Sequence, residues 1–173
     1  MERSGSFTSV PGWGGVAMGA VALAAAAMAH GAPEPRTWLA IWLAGAAAGF
    51  SIGVAATLLK ARRSGMPLLS GVSRRFTLTL LTPIVVGAIL TAALALRGEF
   101  GVLPGVWLLL YGTAVLTAGA YSIPLIPTLG FSFLAVGTVA LLSPAAWGDA
   151  FLAFGFGLLQ IAFGIVIAVR HGG

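Results

Sequence analysis

The sequence contains no cysteine and only four acidic residues among 173. Without cysteine there are no disulfides, no thiolate metal sites and no cysteine nucleophile, and the redox compartment is left open. The scarcity of charge is more informative. Asp, Glu, Lys and Arg together make up 8% of the chain, against roughly 25% in soluble domains. A water-soluble fold built from this composition would have almost no polar surface. Catalytic frameworks are missing as well: no GxSxG, HExxH, P-loop or GxGxxG appears in a usable context. "GGVAMG" is rich in glycine, but it lies in an apolar stretch with no strand before it. The expectation is therefore a protein that is not an enzyme and carries no cofactor or metal.

Hydrophobic residues make up 59% of the chain, and the mean hydropathy is +1.04. Crossing roughly 30 Å of hydrocarbon takes about 20 apolar residues in a helix. Six segments qualify, at 12–30, 37–60, 76–97, 105–122, 128–143 and 150–169, the fifth being short. Residues 1–11 form a polar N-terminal segment, and 12–173 read as one all-α, six-helix transmembrane domain. The breaks are "HGAPEPR", the basic stretch 60–75, "RGEFGVLPG", "SIPLIPT" and "SPAAWGD", where proline and glycine cannot continue a helix. "AMAHGA" offers small residues for a signal peptidase, but no soluble mature domain comes after it, so the first stretch reads as a retained helix.

The net charge of +5 reads as lipid-facing rather than nucleic-acid-binding, because no soluble segment is long enough for such a fold. Lys60, Arg62, Arg63, Arg74 and Arg75 lie between spans two and three, Arg3 precedes span one, and Arg170 follows span six. With six crossings these share one side, and only Arg36 and Arg97 fall on the other. The positive-inside rule then places both termini in the cytoplasm, with the basic loop against anionic headgroups. Three of the four acids, Glu34, Glu99 and Asp149, fall outside. Met66, Leu68, Leu69 and Val72 make the centre of the inner loop apolar, so it either lies along the headgroups or simply connects.

Six spans group into three hairpins, each with one acid in its outer loop. Glycines recur at helical spacing: Gly15 and Gly19 in span one, Gly45, Gly49 and Gly53 in span two, Gly112 and Gly119 in span four, Gly157 and Gly164 in span six. Small residues on one face let backbones approach, which matters in lipid because burial between helices brings no hydrophobic gain. The expectation is that spans one and two pack through their glycines. Small-residue faces also offer a surface for a second copy or a partner.

The last hairpin, "LGFSFLAVGTVALLSPAAWGDAFLAFGFGLLQIAFGIVIAVR", has a glycine-bearing helix, an "LLSP" exit, a short loop and a helix with paired glycines. It resembles the hairpin unit of the HdeD-like six-helix membrane proteins, a bacterial inner-membrane group linked to acid and stress resistance. Through "VPGWGGVAMG", "LPGVWLLLYG" and "AFGIVIAVRHGG" the whole chain is similar to small uncharacterised bacterial six-helix inner-membrane proteins. These resemblances imply three hairpins and supply no site residue.

Gln160 is the one strong hydrogen-bonding side chain deep in a span. An unmatched amide in lipid is costly, so it either clamps a neighbouring helix or lines a cavity. It falls three residues after Gly157 and four before Gly164, which puts it on a helix-facing side. Pro83 frees the carbonyl of Thr79, and a kink is expected there. Trp13, Trp38, Trp42, Trp107 and Trp147, with Tyr121, read as interfacial belt residues. His30 and His171 fall on opposite sides, whereas His30, Glu34, Glu99 and Asp149 share the outer one, either as a pH-sensitive group or as solvated loop residues. Functionally, the leading expectation is a non-enzymatic envelope, stress-related or accessory component. The alternative is a transporter or channel for a small neutral or apolar solute, because no ionisable side chain lies inside a span.

Overall fold

The structure is a computed structural model that describes residues 11–63, 71–120 and 122–171. Arg3, Met66, Leu68, Leu69 and Tyr121 lie outside these, as do the side chains of Arg63, Val72 and His171. The described chain is helical: α1 (Gly12–Ala29), α2 (Pro35–Arg63), α3 (Gly71–Leu96), α4 (Leu103–Gly119), α5 (Leu125–Leu142), α6 (Gly148–Leu152) and α7 (Gln160–His171). Between α6 and α7 the helix continues as a π-helix over Ala153–Leu159, so these three pieces make a single sixth span. Six helices are long and apolar enough to cross a membrane, the build of a multi-pass membrane protein. Large apolar side chains such as Val86 and Ile89 stand exposed, as lipid contact requires.

Local chemistry sets the helix ends. Pro35 opens α2 and Pro104 lies in the first turn of α4, where a missing N–H costs nothing. After α3, Gly98 adopts a φ of 78°. Its N–H bonds the Ala95 carbonyl and the Glu99 N–H bonds the Leu94 carbonyl, at 3.1 and 2.9 Å. This is a complete Schellman motif, which favours glycine because other side chains crowd at positive φ. α5 starts three residues earlier than the sequence suggests, because Pro124 and Pro127 fit a helix entrance and first turn.

Two glycine seams hold the bundle together. In the first, α4 meets α5. A Cβ on Gly112 would lie 3.0 Å from the Gly130 carbonyl oxygen, one on Gly119 2.8 Å from the Pro127 ring, and one on Gly130 2.6 Å from the Leu116 nitrogen. Gly105 and Gly137 extend this seam against Leu141 and Leu109. The spacing of seven, just under two turns, keeps each stripe facing its partner.

The second seam corrects an expectation. Gly15 and Gly19 do not pack on α2 but on the sixth span: a Cβ on Gly15 would be 3.3 Å from Gly164 Cα, and one on Gly19 2.7 Å from the Gly157 carbonyl oxygen. Against α2, α1 presents other residues. Met18 Sδ approaches Gly53, and Ala25 approaches Gly45. Gly49 has nothing within 4 Å of where its Cβ would be. α1 is small on more than one face: Gly14 meets Ala56 of α2, with 2.7 Å from where its Cβ would be, while Gly15 and Gly19 meet the glycines of the sixth span. Glycine against glycine brings backbones nearest and gains the most dispersion contact.

The seams therefore join α1 to the sixth span and α4 to α5. α2 packs on α1 and α3 packs on α4. α5 and the sixth span pack less closely on each other than on α4 and α1, respectively. The turns at 97–102 and 143–147 meet at one end, where Gly101 approaches Ala145. At the other end the start of α1 lies on the end of α7, Gly12 against Ala168.

Candidate functional site

α2 and α3 are the least embedded spans. Only 6% of the most apolar stretch of α2 and 11% of that of α3 is buried, against 39% in α4. They lean on different helices and scarcely touch one another among the described residues. The space between them is a cavity of about 690 Å³, within the range of roughly 300–1,000 Å³ that takes small ligands. Its walls come from α1, α2, α3, α4 and the sixth span, with the start of α5 at one end. Among the described residues the lining contains no Asp, Glu, Lys, Arg or His.

At one end of the cavity, where Trp42 and Trp107 border it, lies a clasp of three tryptophans. The indole N–H groups of Trp38 and Trp42 both donate to Asp149 Oδ1, at 2.7 and 3.0 Å, which ties α2 to the first turn of α6. Trp38 stacks on Trp107 with ring centroids 5.6 Å apart and planes within 5°. Trp107 donates to Thr91 Oγ1 at 2.8 Å, tying α4 to α3, and the Thr91 hydroxyl donates to the Gly87 carbonyl at 2.7 Å. Belt position explains why tryptophans occur here, but Trp38, Trp42 and Trp107 also carry helix-to-helix bonds. Trp13 and Trp147 are exposed, as simple anchors would be. Asp149 is half-buried beneath the indoles, whereas His30, Glu34 and Glu99 are exposed. No group of three His, Asp or Glu residues able to hold a metal occurs among the described residues.

Deeper in, Gln160 Nε2 donates to the Tyr111 hydroxyl at 2.6 Å. Gln160 is 6% exposed, and both residues border the cavity. Tyr111 is set by aromatic edges: Phe133 and Phe156 lie 4.8 and 5.1 Å from its ring and 5.3 Å from each other. The π-helix ends directly before Gln160. A π-turn inserts one residue, rotating the helix beyond it by about 100°. Gly157 and Gly164 then face α1 while the Gln160 amide reaches α4. The sequence leaves open whether Gln160 clamps a helix or lines a cavity, and its position does both.

The threonines mostly bond their own helix: Thr82, Thr113 and Thr138 each donate to the carbonyl four residues back at 2.8–2.9 Å. Thr117 Oγ1 lies 2.8 and 3.1 Å from the Thr113 and Ala114 carbonyls of its own helix and 3.4 Å from the carbonyl of Thr79, four residues before Pro83. Arg62, Arg74 and Arg75 are exposed at the end of α2 and start of α3, and Lys60 is half-buried, all away from the clasp. Sequence reasoning missed the clasp and the glycines at 105, 130 and 137, and it left the partner of Gln160 open among a backbone carbonyl, a threonine and a tyrosine, of which Tyr111 is the one found. The spacing of seven in 105, 112 and 119 was the available signal for the first of these glycines. No protein-family model, curated protein or solved structure matches the chain.

Proposed function

We propose that this is a non-enzymatic protein of the bacterial inner membrane that binds a small neutral, mostly apolar solute in the cavity between α2 and α3. The observation that carries this reading is the cavity itself, about 690 Å³ with no Asp, Glu, Lys, Arg or His in its described lining. Ion or proton coupling relies on intramembrane ionisable groups, whereas an apolar solute needs only shape and dispersion. The weak contact between α2 and α3 supports access from the bilayer. A second reading, the envelope or stress-related accessory role implied by the HdeD-like resemblance, draws on the shallow apolar groove of about 490 Å³ between α5 and the sixth span, where a partner helix or second copy fits. In either case both termini and the basic loop with Lys60, Arg62, Arg63, Arg74 and Arg75 face the cytoplasm and its anionic lipid.

Tryptophan fluorescence tests the solute reading. With Trp13 and Trp147 changed to Phe, the remaining indoles lie in the clasp. Bromododecane in nanodiscs then quenches them saturably. Gly49→Phe fills the cavity where a Cβ meets nothing within 4 Å, and it removes the saturable component. Linear quenching unaffected by Gly49→Phe would refute the reading. Orientation is checked by a thiol introduced at Ser4, which labels only from the cytoplasmic side; labelling from outside reverses the topology.

A further inference from the structure

The polar floor of the cavity points to a specific kind of ligand. Gln160 and Tyr111 share one hydrogen bond, but together they carry more polar capacity than that. With the amide nitrogen donating, the tyrosine O–H and the second amide N–H remain as donors and Gln160 Oε1 as acceptor. If the amide is turned over, the pair still keeps at least one donor and one acceptor. Among the described residues no further side-chain partner satisfies these atoms, although Gln160 is 94% buried, the complement of its 6% exposure. Leaving a buried polar atom unsatisfied costs about 1–3 kcal/mol. The depth is equally informative. Gln160 lies 11 residues beyond Asp149 (160 − 149), at most about 16 Å along the span at ~1.5 Å per residue and less through the π-helical stretch, still well inside a hydrocarbon core roughly 30 Å thick. Water is scarce at that depth.

We propose that the Tyr111–Gln160 pair is the head-group subsite of this cavity, and that it takes the hydroxyl of a neutral long-chain amphiphile admitted between α2 and α3. The inference rests on the solute-binding reading. A hydroxyl both donates and accepts, which matches the spare capacity in either amide orientation. A carboxylate or ammonium head finds no opposite charge in the described lining, and an uncompensated charge there is prohibitive. A pure hydrocarbon leaves the pair unsatisfied. The apolar body lies along Gly49, Ala88 and Phe163, which border the same cavity.

The test uses the full chain in nanodiscs and a diazirine-bearing hexadecanol, with cross-links mapped by mass spectrometry. The expected result is saturable labelling of α2 and α3 peptides at the cavity. Hexadecanol competes roughly tenfold better than hexadecane, the ratio that about 1.4 kcal/mol produces, and hexadecanoate at alkaline pH competes no better than hexadecane. Tyr111→Phe keeps the ring edges on Phe133 and Phe156 and removes only the hydroxyl. It lowers the alcohol preference while cavity labelling persists, because the Gln160 amide still offers a donor and an acceptor, and Tyr111→Phe combined with Gln160→Leu abolishes it. Equal competition by hexadecanol and hexadecane overturns the head-group subsite and leaves the cavity reading standing, whereas strong competition by hexadecanoate overturns the subsite and the neutral-solute reading together. Absence of saturable labelling at the cavity overturns both.

Discussion

Replacing Asp149 with alanine removes the acceptor shared by two indole N–H groups, at 2.7 Å from Trp38 and 3.0 Å from Trp42. Hydrogen bonds to a charged partner contribute about 1.5–3 kcal/mol each, and a donor left buried without one costs about 1–3 kcal/mol. The two indoles do not count equally. Trp42 is 4% exposed, so its N–H is stranded, whereas the half-buried Trp38 at the helix end recovers water. The two bonds also converge on one oxygen, which makes their contributions less than additive. Together these considerations put Asp149→Ala at about 2–4 kcal/mol of destabilisation. Asp149→Asn keeps an oxygen in place without the charge and costs about half as much. Unfolding in mixed SDS micelles, followed by far-ultraviolet circular dichroism so that lost indoles do not blur the signal, measures each value. The decisive quantity is the coupling with Trp42→Phe: once the carboxylate is gone, removing the indole N–H is nearly free, and the cycle returns about 1–2 kcal/mol. Strictly additive single and double variants would mean that the indoles and the carboxylate are neighbours without coupling, and the reasoning would fail.

The seams give a second contrast, read by the same unfolding assay. Gly164→Ala places a Cβ 2.8 Å from the Gly12 carbonyl oxygen and the Val16 nitrogen, atoms of a backbone that cannot turn aside, and costs about 1–3 kcal/mol. Gly49→Ala meets open space and is neutral or stabilising by up to about 1 kcal/mol; equal losses at both positions would contradict the assignment of the seam. Thr91→Val strands the Trp107 N–H and destabilises by about 0.6–2 kcal/mol, with loss of any red-edge shift in the Trp107 emission as a local readout. Gln160→Leu removes the bond to Tyr111 at a comparable cost, and unchanged stability together with unchanged solute binding would remove Gln160 from the account.

Much of the architecture is legible in the sequence because a membrane imposes length and apolarity on every span. The span count follows from these alone, and the helix ends follow from Pro35, Pro104 and Gly98. Pairing is harder. Gly15 and Gly19 announce a close approach, but spacing alone misleads about their partner: Gly45, Gly49 and Gly53 repeat their interval of four, whereas Gly157 and Gly164, which actually meet them, are seven apart. The choice depends on complementarity between whole faces. The clasp escapes notice for a different reason: Trp38 and Asp149 are 111 residues apart, and belt position already explains each tryptophan. The π-helix leaves no propensity signal, yet it lies immediately before the glutamine that bonds Tyr111. Absence of charge in the spans, by contrast, is plain in the sequence and bears on the cavity as it bears on the fold.

The most direct measurement is the content of the cavity in the protein as purified. Native mass spectrometry from nanodiscs, with the released molecules identified, is expected to find a neutral hydroxyl-bearing amphiphile on the native chain and to find it depleted from Gly49→Phe, whose side chain occupies the same space. Identical bound lipids on both proteins, or a charged lipid displaced by Gly49→Phe, would contradict a cavity built for a neutral solute.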